Sequence, residues 1–210
     1  MSTSDQHTSP ELAGVEVHGV TRHSFILKGA LAAGALYGAS TVAPFVSSAF
    51  AAGTSDVDIL NFALTLEYLE ADFYKVKGKA VGLSGQAKSL AKSFGDEEAE
   101  HVSALSKAIT ASGGKPVKKP TFSCPVTNQT SFLKLAYLLE NTGVSAYNGA
   151  GPSLTNKQLL AAAGSIVQIE ARHAATIAIL TGMKITPDGA FDKPLSMKQV
   201  LAKAGPLIKK

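Results

Sequence analysis

Two short motifs, set alike within a tandem repeat, restrict this chain more than anything else in it: Glu98-Ala99-Glu100-His101 and Glu170-Ala171-Arg172-His173. On a helix, residues three apart share a face one turn apart, so each pair can offer a carboxylate and an imidazole to one ion. Each motif also follows another glutamate and a tyrosine. Tyr74 comes seven residues after Glu67, as Tyr147 does after Glu140; Glu98 comes 31 residues after Glu67, and Glu170 comes 30 after Glu140. The chain reads as two similar helix pairs, each carrying Glu, Tyr, Glu and His in that order. Two Glu-x-x-His helices and one glutamate from each of two further helices can hold two metal ions inside an antiparallel bundle.

The histidine count makes the pattern sharper. Of the five histidines, His7, His18 and His23 lie in an N-terminal segment with its own character, which leaves His101 and His173. Random placement would put a glutamate three residues before both of them about once in five hundred. Acid placement agrees. Between Val102 and Pro187 the only acidic residues are Glu140 and Glu170, each in an apolar stretch. Solvated helix faces mix both signs, and a carboxylate on an apolar face is costly unless paired or bound to metal.

Composition limits the alternatives. A chain of 210 residues, rich in alanine and without tryptophan, suits one helical domain with a sizeable core. The formal charge of +4 comes mostly from lysines. No arginine-rich patch is interleaved with aromatics, which argues against nucleic-acid binding. Cys124 is the lone cysteine and cannot form an internal disulfide; it reads as an incidental loop thiol.

Residues 1–51 read as an export signal. Thr21-Arg22-His23-Ser24-Phe25-Ile26-Leu27-Lys28 precedes a small-residue apolar run, and Ala49-Phe50-Ala51 offers a cleavage site. The pattern is similar to a bacterial twin-arginine signal, with His23 standing where the second arginine belongs. The expected location is exported, periplasmic or on the extracellular, cell-wall side, with no stable membrane insertion once the signal is cleaved.

The remainder divides into a bundle over 52–182 and a C-terminal extension over 183–210. Ser55 caps a first helix from Asp56, carrying Ile59, Ala63, Leu66, Leu69 and Phe73 at helical spacing. A second helix runs from after Ser84 to about Ser112 and stops at Gly113-Gly114. Gly95 inside it points to close packing or a kink near the motif. The segment over 113–129 contains Pro116, Pro120 and Pro125 and is long enough to cross the bundle. A third helix is expected over about 131–148, a fourth from after Thr155 to near Gly182, and a short fifth capped by Ser196. No strand of useful length is expected. Two hairpins joined by one long crossover is the connectivity of ferritin-like folds.

Glu67 competes with Glu70 for the ligand role on the first helix. Superposing the repeats puts Glu67 on Glu140 but Glu70 on Gly143, which favours Glu67 and leaves Glu70 as the alternative. Glu97 and Glu100 correspond to Ile169 and Arg172, so they read as surface or supporting groups. Tyr74 and Tyr147 share the ligand stripe. They read either as core aromatics with a bonded hydroxyl or as donors and electron relays beside a reacting oxygen species.

With these residues in view, the chain resembles the ferritin-like di-iron carboxylate superfamily, and within it the exported bacterial desiccation-related proteins. The stretch Leu60-Asn61-Phe62-Ala63-Leu64-Thr65-Leu66-Glu67-Tyr68-Leu69-Glu70 is similar to the first helix of that group. The resemblance implies an all-α ferritin-like four-helix bundle. It implies that Glu67 and Glu140 are terminal ligands, that Glu98 and Glu170 bridge, and that His101 and His173 bind one ion each. It implies two Fe or Mn ions, with oxygen or peroxide as partners, and ferroxidase-like or manganese-catalase-like chemistry. Homo-oligomer formation stays open. The contrasting expectation is a non-enzymatic, stress-protective bundle with a structural or residual metal site.

Overall fold

A computed structural model describes residues 55–209. The expected export signal lies outside the described residues. Helix α1 (Asp56–Asp72) starts at a capping box: Asp58 N–H donates to Ser55 Oγ at 3.2 Å, and Ser55 N–H donates to Asp58 Oδ2 at 3.2 Å. The helix then widens into a π turn over Phe73–Lys77 and tightens again over Gly78–Ala80. Helix α2 (Gly85–Ala111) returns along it. Asn128 caps α3 (Gln129–Ala150), accepting from Ser131 N–H at 2.9 Å. Asn156 caps α4 (Lys157–Thr181), which stops at Gly182 in the left-handed conformation, φ 68°. Ser196 caps the short α5 (Met197–Ala204).

Helix α1 packs mainly on α2, and α3 on α4. Hydrogen bonds between the ends define the directions. Asn61, near the start of α1, donates to Lys115 O at 3.2 Å and accepts from Val117 N–H at 2.8 Å, so the end of α2 and the start of the crossover lie beside it. At the crossover's other end, Ser84 N–H donates to Gln129 Oε1 at 3.0 Å, joining the starts of α2 and α3. Asp56 accepts from Thr155 N–H and Asn156 N–H, both at 2.9 Å, which ties the α3–α4 turn to the start of α1. The crossover therefore runs the length of the bundle, and the architecture is the expected all-α one of two hairpins.

The C-terminal residues add one short pairing to the helices, and no strand of useful length forms among the described residues. Strand β1 (Thr121–Phe122), in the crossover, pairs antiparallel with β2 (Ile208–Lys209). Leu195, Val200, Ala204 and Leu207 are buried in the same cluster as Leu69, Phe73 and Phe132. Two residues per strand are too few to show a period-2 pattern, so this pairing left no signal in the sequence. Burial of the flanking apolar residues is what brings the segments together.

The core has two parts. One gathers Phe73, Tyr74, Phe94 and Phe132, with Phe73 and Phe132 stacked at 4.4 Å between ring centroids. The other gathers Ile59, Leu64, Leu105, Ile109 and Ile166. On α2 and α4 the change from one part to the other falls across Glu98 and Glu170; on α1 it falls just before Glu67, and on α3 it comes after Glu140, between Ala146 and Tyr147. The buried carboxylates lie between the two apolar parts. Among the described residues no helix is long and apolar enough to cross a membrane.

Candidate metal centre

Helical spacing delivers the polar layer. Helix α1 presents Glu67 and Glu70 one turn apart, α2 presents Glu98 and His101, α3 presents Glu140, and α4 presents Glu170 and His173. Glu67, Glu98, Glu140 and Glu170 have no exposed surface, and Glu70 and His173 are each 2% exposed. The helices can approach at this level because small residues face them. A Cβ on Gly95 would stand 3.0 Å from Tyr74 Cβ, so glycine here allows close contact between α2 and α1. Helix α2 continues through Gly95 without interruption.

The ligand-type atoms form two groups. Atoms of Glu67, Glu98, His101 and Glu170 lie within 4.8 Å of one another, as do atoms of Glu98, Glu140, Glu170 and His173. Glu98 and Glu170 belong to both. His101 Nδ1 is 3.1 Å from Glu67 Oε2, 3.0 Å from Glu98 Oε2 and 3.2 Å from Glu170 Oε1. His173 Nδ1 is 3.0 Å from Glu98 Oε1 and 3.4 Å from Glu140 Oε2. The two oxygens of Glu98 therefore face different imidazoles, the placement needed to span two ions.

Groups around this layer hold its members in place. Tyr147 donates to Glu67 Oε1 at 2.5 Å, and Tyr74 donates to Glu140 Oε1. Each tyrosine thus serves the glutamate of the other repeat. The outer nitrogen of His173 bonds Glu97 Oε2 at 2.5 Å, and Phe94 stacks on the same imidazole at 3.9 Å. Sequence reasoning placed Glu97 only as a surface or supporting group. Its repeat equivalent is Ile169, so the internal comparison held no signal for the bond. Glu100 is exposed. Cys124 is buried in the apolar cluster, and burial pushes its thiol up to about 11, which keeps it neutral.

The donor set fits a pair of cations. Both oxygens of Glu70 and of Glu170, together with Glu98 Oε1, Glu140 Oε2 and His173 Nδ1, are buried without a hydrogen-bond partner. Buried acceptors without donors are costly. Ionised carboxylates cannot satisfy one another, so protons or metal ions must do it. Four ligand carboxylates balance two divalent ions, and the mixed oxygen and imidazole shell suits iron or manganese.

Without metal the layer is electrostatically frustrated. Burial pushes Glu67 up to about 8, against the pull of His101. Burial, with repulsion from neighbouring carboxylates, holds Glu70 and Glu170 well above the usual range; burial also raises Glu140. Burial opposes charge on Glu98 too, but His101 and His173 overcome it and bring that carboxyl down to about 2. Burial likewise disfavours charged imidazoles, yet the surrounding carboxylates push His101 up to about 12 and His173 up to about 11. Protons occupy the region that a pair of cations would neutralise.

Comparison with known proteins agrees with this architecture. The family model described as a ferritin-like domain matches residues 55–183. Among solved structures, the chain is similar to a conserved hypothetical protein, rv2844, from Mycobacterium tuberculosis. The TM-score is 0.54 at 18% identity, covering 63% of this chain and 94% of that one. At that identity the similarity speaks to the fold alone. No curated protein matches the sequence.

Proposed function

We propose that this chain, which belongs to the ferritin-like domain family, holds two Fe or Mn ions and oxidises ferrous iron or consumes oxygen or peroxide in stress protection. The observation that carries the reading is the sharing of Glu98 and Glu170 between the two four-residue groups. Glu67 and His101 complete one ion's set, and Glu140 and His173 complete the other's. The N-terminal pattern of Arg22, Phe25 and Lys28 before a small-residue run supports a place outside the cytoplasm.

When bound, such a metal pair supplies one-electron changes at two adjacent ions. With iron as substrate the balance is simple: two ferrous ions lose one electron each, and one peroxide takes two electrons and two protons to give two waters. The chain's own residues have three tasks. Tyr74 and Tyr147 hold Glu140 and Glu67 in position and keep a hydroxyl proton beside each carboxylate. Glu97 orients the His173 ring, so that Nδ1 faces inward. The apolar clusters above and below the layer exclude bulk water.

The test begins with elemental analysis of protein isolated from its own compartment, where about two Fe or Mn per chain are expected. Glu98→Ala and Glu170→Ala should then abolish peroxide decay and ferrous iron oxidation by the metallated protein. If fully metallated wild type matches these variants in both assays, the reading gives way to a protective bundle with a structural metal site.

A further inference from the structure

Glu70 has no role in the six-residue set, yet it is 2% exposed and neither of its oxygens has a hydrogen-bond partner. The repeat explains its position. Glu70 stands three residues after Glu67, and the residue three after Glu140 is Gly143. A Cβ on Gly143 would lie 2.9 Å from Glu170 Oε2 and 3.5 Å from Glu70 Oε1. Oxygens of Glu70 and Glu170 therefore converge on the hollow that the missing side chain leaves. These equivalent positions of α1 and α3 face one another.

Nothing else in the hollow can satisfy the Glu70 carboxylate. Glu70 and Gly143 border a small cavity with Leu66, Leu69, Leu139, Thr142 and Ala204, the last of these on α5. Thr142 is the one side chain among these neighbours with a proton to donate, and its hydroxyl already donates to Leu138 O at 2.7 Å. His173 Nδ1 stands 3.0 Å from Glu98 Oε1 and 3.4 Å from Glu140 Oε2 without a hydrogen bond to either, whereas His101 Nδ1 bonds Glu67 Oε2 and Glu98 Oε2; Glu170 Oε1, also without a hydrogen bond, faces His101 at 3.2 Å.

We infer that Glu70 is a seventh metal ligand, on the ion held by Glu98, Glu140, Glu170 and His173, and that Gly143 leaves room for the Glu170 carboxylate that Glu70 meets there. This rests on the di-metal reading and deepens it: Glu67 and Glu70 both serve, on different ions. The centre is then asymmetric. One ion has an extra oxygen ligand, and the two affinities should differ.

Anaerobic titration of the full chain with Mn²⁺ tests this. Wild type should show two sites of unequal affinity. Glu70→Ala should weaken one site by about tenfold or more, of the order seen when groups supporting a metal are removed, with less than about threefold change at the other. Glu70→Gln, nearly the same shape, should act in the same direction. Melting separates a ligand from a structural group. Metal-free Glu70→Gln should melt no lower than metal-free wild type, because no donor is lost, while its gain in Tm on adding Mn²⁺ should be smaller. The inference is overturned if wild type binds two Mn²⁺ and both variants match it. It is also overturned if a crystal structure of the Mn²⁺-loaded protein shows Glu70 away from both ions. A wild type that binds no Mn²⁺ or Fe²⁺ pair would instead remove the di-metal reading itself.

Discussion

The phenol of Tyr147, on α3, donates to Glu67 Oε1, on α1, at 2.5 Å in the buried layer between the two hydrophobic clusters. The hydroxyl is the one hydrogen-bond donor to that oxygen. Tyr147→Phe would leave it unsatisfied, which costs about 1–3 kcal/mol in the metal-free protein. Tyr74→Phe should do the same through Glu140. Both variants should keep two metal ions per chain and slow peroxide turnover. Unaltered melting and unaltered turnover in both would reduce the tyrosines to core aromatics.

Metal-free stability should fall as pH rises from about 5 to 8. Glu67 is raised from 4.5 to about 8, and Glu70, Glu140 and Glu170 are raised as well. Through that interval the folded state binds more protons than the unfolded state, so each pH increment favours unfolding. The stabilising contribution is complete below the unfolded carboxylate value and is lost as pH passes the folded one. His101 and His173, raised to about 12 and 11, act in the same sense from about 6.5 upward. Glu98, brought down to about 2, opposes this only at low pH, where its contribution is lost as pH falls. Metal binding needs deprotonated ligands, so affinity should rise over the same interval. The Tm gap between metal-loaded and chelated protein should widen from pH 5 to 8; a constant gap would contradict the assignment.

Glu97→Ala should weaken one of the two ions and leave the other nearly unchanged. The carboxylate bonds the outer nitrogen of His173 at 2.5 Å, and among the described residues His101 has no counterpart to it. Groups that support a metal-bound histidine are worth about 10–100-fold in affinity. The Glu97 side chain is 44% exposed, so the lower end applies. Competition with a chelator of known affinity measures it, and equal loss at both ions would exclude the assignment.

Gly149→Ala should be strongly destabilising although the substituent is one methyl group. The new Cβ would overlap the backbone carbonyl of Leu195, in the segment whose Leu195 N–H donates to Ser145 O at 3.0 Å. Alanine would gain about 1 kcal/mol in helix propensity. Overlap with backbone, which cannot rotate away, should cost more, for a net loss of about 2 kcal/mol. Chemical denaturation measures the loss. An unchanged midpoint would mean that α5 and its approach move away from α3 at little cost.

The sequence by itself determined the helices, their caps and which side chains share a face. These are local properties: three-residue spacing puts Glu98 with His101 and Glu170 with His173 whatever surrounds them, and Ser55 and Ser196 sit where N-caps belong. Repetition then implied that four such faces turn toward one another. Tertiary structure decided the rest. That Tyr147 serves Glu67 and Tyr74 serves Glu140, that Glu97 reaches His173 from another helix, and that Glu70 and Glu170 meet beside Gly143 all depend on the axial register between helices. So does the pairing of Phe122 with Ile208, between segments far apart in the chain. Register is not a property of any one helix. It is set by how the side chains of two apolar clusters interlock, and a polar layer between them takes the positions that this packing leaves.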